Sequence, residues 1–183
     1  MGRDVPPPGV LTWITRMRLR SLVFSSIFSA LIGASVPLAP AIAAWASERD
    51  PDLGFTYAYP SEVFERLEGD GKPSFHYFES ADSEAKFLVG GWNNSASQSP
   101  ESFKRWMMEN VGGYDELTYR PRGRSWFVLS GYREDTIYYE KVMFSCRDQL
   151  VNVLAITYPV AKREIYDAIV ERMENAFKPG NCA

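Results

Sequence analysis

Three features of the 183-residue sequence predict an α+β domain, an antiparallel sheet of about six or seven strands with helices packed on both faces. Four β-rich runs follow one another in the C-terminal half, and connections this short make neighbouring strands antiparallel. The last run, Gln149 to Tyr158, sets Val151, Val153, Ala155 and Thr157 on one side and Leu150, Asn152, Leu154 and Ile156 on the other. Both sides are mostly apolar, so this strand is expected at the centre and covered on both faces. Helical patterns precede and follow the four runs and supply the covers.

In chain order, Phe55 to Tyr59 is β-rich and stops at Pro60, after which Ser61 is placed to cap a short helical turn through Phe64. Gly69-Asp70-Gly71 breaks the chain. Phe75 to Glu79 and Ala85 to Trp92 then read as two strands around the polar turn Ala81-Asp82-Ser83. Ser99-Pro100-Glu101 combines a capping hydroxyl, a proline at the first helical position and an acid near the positive end of the helix dipole. Phe103, Trp106, Met107 and Val111 recur at helical spacing until Gly112-Gly113, with Lys104, Arg105 and Glu109 on the opposite face. The four runs are Leu117 to Arg120, Ser125 to Tyr132, Thr136 to Cys146 and Gln149 to Tyr158. Pro159 ends the last, and Lys162 to Phe177 reads as a closing helix with Ile165, Ile169, Met173 and Phe177 in a row.

The N-terminal part has a different character. Residues 1–46 hold Arg3, Arg16, Arg18 and Arg20 against Asp4, whereas the whole chain has net charge -3. No charge occurs between Arg20 and Glu48, and the apolar run from Leu22 to Val36 is followed by Pro37, Pro40 and small residues. This is the layout of a secretory signal peptide, with cleavage expected after Ala43 or Ala46 and a start at Met1 or, if the N-terminus is over-extended, Met17. Residues 47–183 then form a single domain, periplasmic or secreted. An uncleaved inner-membrane anchor is the alternative, but a helix over Leu22 to Val36 spans roughly 22 Å against a hydrocarbon core of about 30 Å. In an oxidising compartment the two cysteines, Cys146 and Cys182, are expected to pair, with two unrelated thiols as the alternative.

Several chemistries are excluded or disfavoured. His76 is the single histidine, so sites needing two imidazoles are absent, and neither a metal nor a cofactor is expected. No Gly-x-Ser-x-Gly elbow presents a nucleophile, and Ser130 lies inside an apolar run. Neither phosphate-binding glycine motif occurs, and Glu62, Glu65 and Glu68 lie around one short surface segment, a spacing that gives no sign of two carboxylates facing each other across a cleft. An acidic domain argues against nucleic acid as a partner. Arg120, Arg122 and Arg124 form the densest positive cluster, suited to an anionic or acidic partner. Trp92, before Asn93-Asn94-Ser95, is expected at the aromatic tip of an exposed loop and gives a second candidate contact.

The element order, with Phe55-Thr56-Tyr57-Ala58-Tyr59-Pro60-Ser61, Trp126-Phe127-Val128-Leu129-Ser130-Gly131, Ile137-Tyr138-Tyr139-Glu140-Lys141-Val142 and Tyr158-Pro159, resembles a PsbP-like α/β/α domain. More narrowly it resembles small exported alphaproteobacterial proteins that open with a Tyr-Pro-Ser strand end. The resemblance implies a binding role without chemistry and carries over no functional residue. The resulting expectation is a non-enzymatic binding or accessory protein whose partner is a protein or an envelope component. A small-ligand carrier, or a hydrolase using a carboxylate and His76, is the alternative.

Overall fold

The computed structural model describes residues 44–68, 74–111 and 114–182. The predicted signal segment up to residue 43, the break at Gly69-Asp70-Gly71 and the helix stop at Gly112-Gly113 lie outside the described residues. The elements are β1 (Trp45–Arg49), β2 (Thr56–Pro60), β3 (Phe64–Leu67), β4 (Phe75–Ser80), β5 (Lys86–Asn93), α1 (Pro100–Asn110), β6 (Glu116–Tyr119), β7 (Trp126–Arg133), β8 (Thr136–Ser145), β9 (Leu150–Pro159) and α2 (Arg163–Ala176). Among the described residues no helix is long and apolar enough to cross a membrane.

Strands β3 to β9 form one antiparallel sheet in the order β3-β4-β5-β9-β8-β7-β6, while β1 and β2 pair as a separate two-stranded ribbon. The strand expected at the centre, β9, is the fourth of seven and is buried along nearly its whole length. Its alternation decides the layers. Val151, Val153 and Ala155 pack with Phe103, Met107 and Val111 of α1 on one face. Leu154 and Ile156 pack on the other with Tyr57 and Tyr59 of β2 and Tyr166, Val170 and Met173 of α2. Each face is thus sealed by apolar burial, and α1 carries the chain from β5 across one face to β6 at the far edge.

Helix α1 begins as its sequence requires. Ser99 is the N-cap, its Oγ accepting from Ser102 N at 3.2 Å, and Pro100 occupies the first turn without loss because it has no N–H to satisfy. The four C-terminal strands form the expected meander.

Three elements differ from the sequence reading. Strand β1 was not expected, and the boundary after Ala46 falls inside it. The turn at Ser61 does not become a helix. Phe64 instead enters strand β3 and packs edge-on against Phe87 at 4.9 Å, while β4 supplies the backbone partners that a single helical turn would lack. In α2 the buried row is Tyr166, Val170 and Met173, continued by Phe177, whereas Ile165 is 63% exposed. Met173 and Phe177 are buried as expected and Ile169 packs partly buried against the same core, so the row departs from the expectation at its start, where Tyr166 rather than Ile165 turns inward.

Cys146 and Cys182 are joined with their Cα atoms 5.1 Å apart. Around this link Gly180 N donates to Asn152 Oδ1 at 2.9 Å, and Lys178 and Thr56 exchange backbone bonds, so the C-terminal tail is held against both β9 and β2.

Edge strand β6 is short and irregular in register between Leu117 and Tyr119. It approaches β7 at Gly131, where a Cβ would stand 2.0 Å from the carbonyl oxygen of Glu116. Gly131→Ala is expected to push β6 off the sheet, lowering stability by about 2 kcal/mol in urea unfolding. Hydrogen exchange should rise at Leu117–Tyr119 before it rises in β9, and an unchanged β6 would contradict this account.

Candidate functional site

The turn between β6 and β7 bears Arg120, Arg122 and Arg124, all exposed. Its hairpin is closed by Gly123 N donating to Trp126 O at 2.8 Å. The crossing of α1 brings this turn against the first turn of the helix, and between them lies a cleft of ≈310 Å³. Ser99, Glu101 and Lys104 line one wall, Arg122 and Arg124 the other, and Trp126 and Phe127 contribute apolar surface. Arg122 is ion-paired with Glu101, and Lys104 Nζ donates to the Arg120 carbonyl at 3.1 Å. Burial, together with the guanidinium groups of Arg122 and Arg120, holds the Lys104 ammonium below its ordinary pKa despite Glu101. A Cβ on Gly123 would meet Trp126 Nε1 at 2.1 Å, so glycine is needed for the indole to sit under the turn.

Of the predicted contacts, Arg122 and Arg124 line this cleft, and Arg120 borders it through its carbonyl. Trp92 does not sit at a loop tip. It is a half-buried residue of β5, with its ring 6.2 Å from Phe75 and 5.8 Å from Phe103. Asn94 organises the loop instead: Nδ2 donates to the carbonyls of Gln98 at 2.8 Å and Asp148 at 2.6 Å. Lys104, Glu101 and Trp126 were not named from the sequence as members of one site. The signal for them was the helix cap at Ser99, but only the crossover topology joins it to the arginine turn.

His76 and the acids form a second, internal arrangement. Asp50 is 1% exposed, and its Oδ1 accepts from Asp52 N, Leu53 N at 2.7 Å and Ser74 Oγ at 3.0 Å, while Oδ2 accepts from His76 Nε2 at 3.0 Å. Arg66 donates to His76 Nδ1. A guanidinium has only donors, so Nδ1 carries the lone pair, Nε2 carries the proton and the ring is neutral. Burial and Arg66 accordingly hold the His76 pKa below its ordinary value, outweighing Asp50. With both nitrogens engaged, the ring has no lone pair for a substrate proton. Arg66 also meets Glu48 at 3.2 Å, and Glu48 accepts from Tyr57 at 2.5 Å and Tyr59 at 2.9 Å. Among the described residues no group of three or more His, Cys, Asp or Glu is arranged to hold a metal ion.

Glu140 is buried at 2% exposure on the α1 face, where Tyr114 Oη donates to it at 2.7 Å. Desolvation pushes its pKa from the ordinary 4.5 to about 7, against the lowering effects of Tyr114 and Arg133.

No protein-family model matches the chain, and no curated protein matches it in sequence. Among solved structures, cyanobacterial PsbP (CyanoP) from Synechocystis sp. PCC 6803 aligns with a TM-score of 0.55 and 11% identity, covering 81% of this chain and 98% of that one. The fold is PsbP-like. The Saccharomyces cerevisiae Ran-binding protein Mog1p shares the PsbP-like arrangement with a TM-score of 0.51 and 10% identity, covering 75% of this chain and 96% of its own. Identities this low describe the layout of strands and helices and assign no residue a role.

His76 and Glu140 set opposite pH slopes. Because the native state resists protonating His76, the unfolded chain takes up that proton first as pH falls below about 6.5, and stability declines on the acid side. Because the native state retains the Glu140 proton, stability declines as pH rises from 4.5 through about 7. Denaturant titrations of His76→Gln should therefore show stability falling between pH 5 and 7, on the order of 2–3 kcal/mol in total. Glu140→Gln should show the reverse trend. Identical slopes in the two variants would contradict the assignment.

Proposed function

We propose that the chain is an exported, non-enzymatic binding or accessory domain that recognises an acidic protein or envelope component through the arginine cleft. The observation that carries this reading is the convergence of Arg122, Arg124 and Lys104 on one side-chain-lined hollow with Trp126 and Phe127 beneath. Guanidinium groups hold carboxylates in paired hydrogen bonds, and the aromatic surface adds apolar contact, a combination common at protein interfaces. The engaged nitrogens of His76 support a role without catalysis. A Ran-binding protein among the structural neighbours favours a protein partner over a small ligand.

The contacts of β1 bear on where an export leader would be cut. Ala44 O accepts from Ser61 N at 2.9 Å, and Trp45 pairs with Pro60 while Arg172 lies 4.1 Å over its ring. Cleavage after Ala46 removes these contacts, whereas cleavage after Ala43 leaves β1 whole. Intact-mass analysis of protein recovered from the periplasm or medium should give a chain beginning at Ala44 with both cysteines oxidised. A chain beginning at Ser47, or one retaining the leader, contradicts this assignment.

For the cleft, the doubly reversed variant Arg122→Glu/Arg124→Glu should lose at least about tenfold in affinity for whatever envelope component the wild-type chain retains at physiological salt. Unchanged retention, with the fold intact by circular dichroism, removes the cleft from the proposal.

A further inference from the structure

A second cleft, of ≈290 Å³, opens between α2 and the outer strands β6 and β7. It exists because Ser130, which faces α2 between Val128 and Tyr132 on β7, puts little bulk beneath the helix, whose buried row turns toward β9 and β2 instead. Its walls are tyrosines with carboxylates along the helix side.

Most polar groups there are already satisfied by one another. Tyr158 Oη donates to Asp167 at 2.7 Å, Arg163 Nε meets Asp167 at 3.0 Å, and Arg163 donates to Tyr132 Oη at 3.0 Å. Lys141 Nζ pairs with Glu174 at 3.0 Å. The Tyr139 ring lines the cleft, while its hydroxyl oxygen is buried toward the Glu174 carboxylate, and burial together with that carboxylate raises its pKa. Two groups remain uncommitted. Glu171 forms no ion pair among the described residues. Tyr119 presents its ring at 54% exposure.

We infer that this cleft receives an arginine or lysine side chain from an extended segment of a protein partner. A carboxylate and an open aromatic face are the complements of a cation bearing N–H donors. The cleft's three carboxylates outnumber its one lining cation, Arg163, so an anion is disfavoured there. The extended backbone is supplied with partners by β6, an edge strand whose outer side has no strand partner among the described residues. This site is distinct from the arginine cleft in both location and sign of charge.

The probe is a fluorescein-labelled peptide of alternating Arg and Ser, titrated with the oxidised mature chain at 150 mM salt and read by anisotropy. Glu171→Gln and Tyr119→Ala should each weaken binding about three- to fivefold. Glu109→Gln on α1, and Arg122→Glu/Arg124→Glu in the other cleft, should leave it no weaker, so failure of this site is separable from failure of the arginine cleft. The inference is overturned if no saturable binding occurs, or if Glu109→Gln weakens binding as much as Glu171→Gln, which marks non-specific attraction to an acidic protein. It is equally overturned if spermidine displaces the peptide at matched charge concentration, since the cleft then holds a small polycation rather than a strand.

Discussion

A buried side chain that must accept several hydrogen bonds leaves the surrounding backbone few ways to close, and Asp50 is such a side chain. Its two oxygens gather donors from its own turn, from Ser74 at the start of β4 and from His76 within β4. The β1–β2 ribbon is therefore fastened to the large sheet by a polar clasp as well as by the aromatic contacts of Phe55, Tyr57 and Tyr59. Removing the carboxylate would orphan the buried partners, a larger cost than any one of these bonds contributes. The arrangement also gives the single histidine a structural reason to be where it is: it is the link between Asp50 inside and Arg66 at the rim.

The two clefts share a cause. Each helix is narrower than the seven-stranded sheet it covers, so hollows form where cover runs out near β6 and β7. On the α1 side the hollow is bordered by the arginine turn, and on the α2 side it is lined by tyrosines. The short strand β6 separates them and contributes Tyr119 to one while Arg120, the next residue, borders the other. The same chain segment thus moves from an acidic aromatic surface to a basic one within two residues.

Much of this architecture was readable in the sequence because its signals are local. The capping hydroxyl and proline at Ser99-Pro100 fixed the start of α1, and the two-sided apolar pattern of Gln149 to Tyr158 placed β9 at the centre. Strand β1 was hidden because Ala44-Trp45-Ala46 reads equally as the end of an export signal, and its strand identity comes only from pairing with β2. The buried row of α2 was legible at Met173 and Phe177 but not at its start, where Ile165 looks the more apolar residue, yet Tyr166 buries its ring and stacks on Tyr158 at 5.3 Å. At the site, Arg122 and Arg124 were visible as a charge cluster, but Lys104 lies 18 residues before Arg122 and joins it only through a crossover. Trp92 was misplaced because a polar stretch following an aromatic residue looks like a loop tip, whereas Phe75 and Phe103 draw that indole inward.

The pairing of β5 with β9 has a consequence for how the molecule comes into being. Residues 86–93 register with residues 150–157, so the innermost ladder of the sheet joins stretches that leave the ribosome far apart in time. Until β9 emerges, the inner edge of β5 has no neighbour and its Phe87, Leu88 and Val89 lack their closing layer. Such non-local closure slows folding and leaves a sticky intermediate exposed. A nascent chain arrested before residue 150 would carry an open, apolar strand edge, which makes the half-made protein a client for whatever holds chains unfolded until their last strand is available.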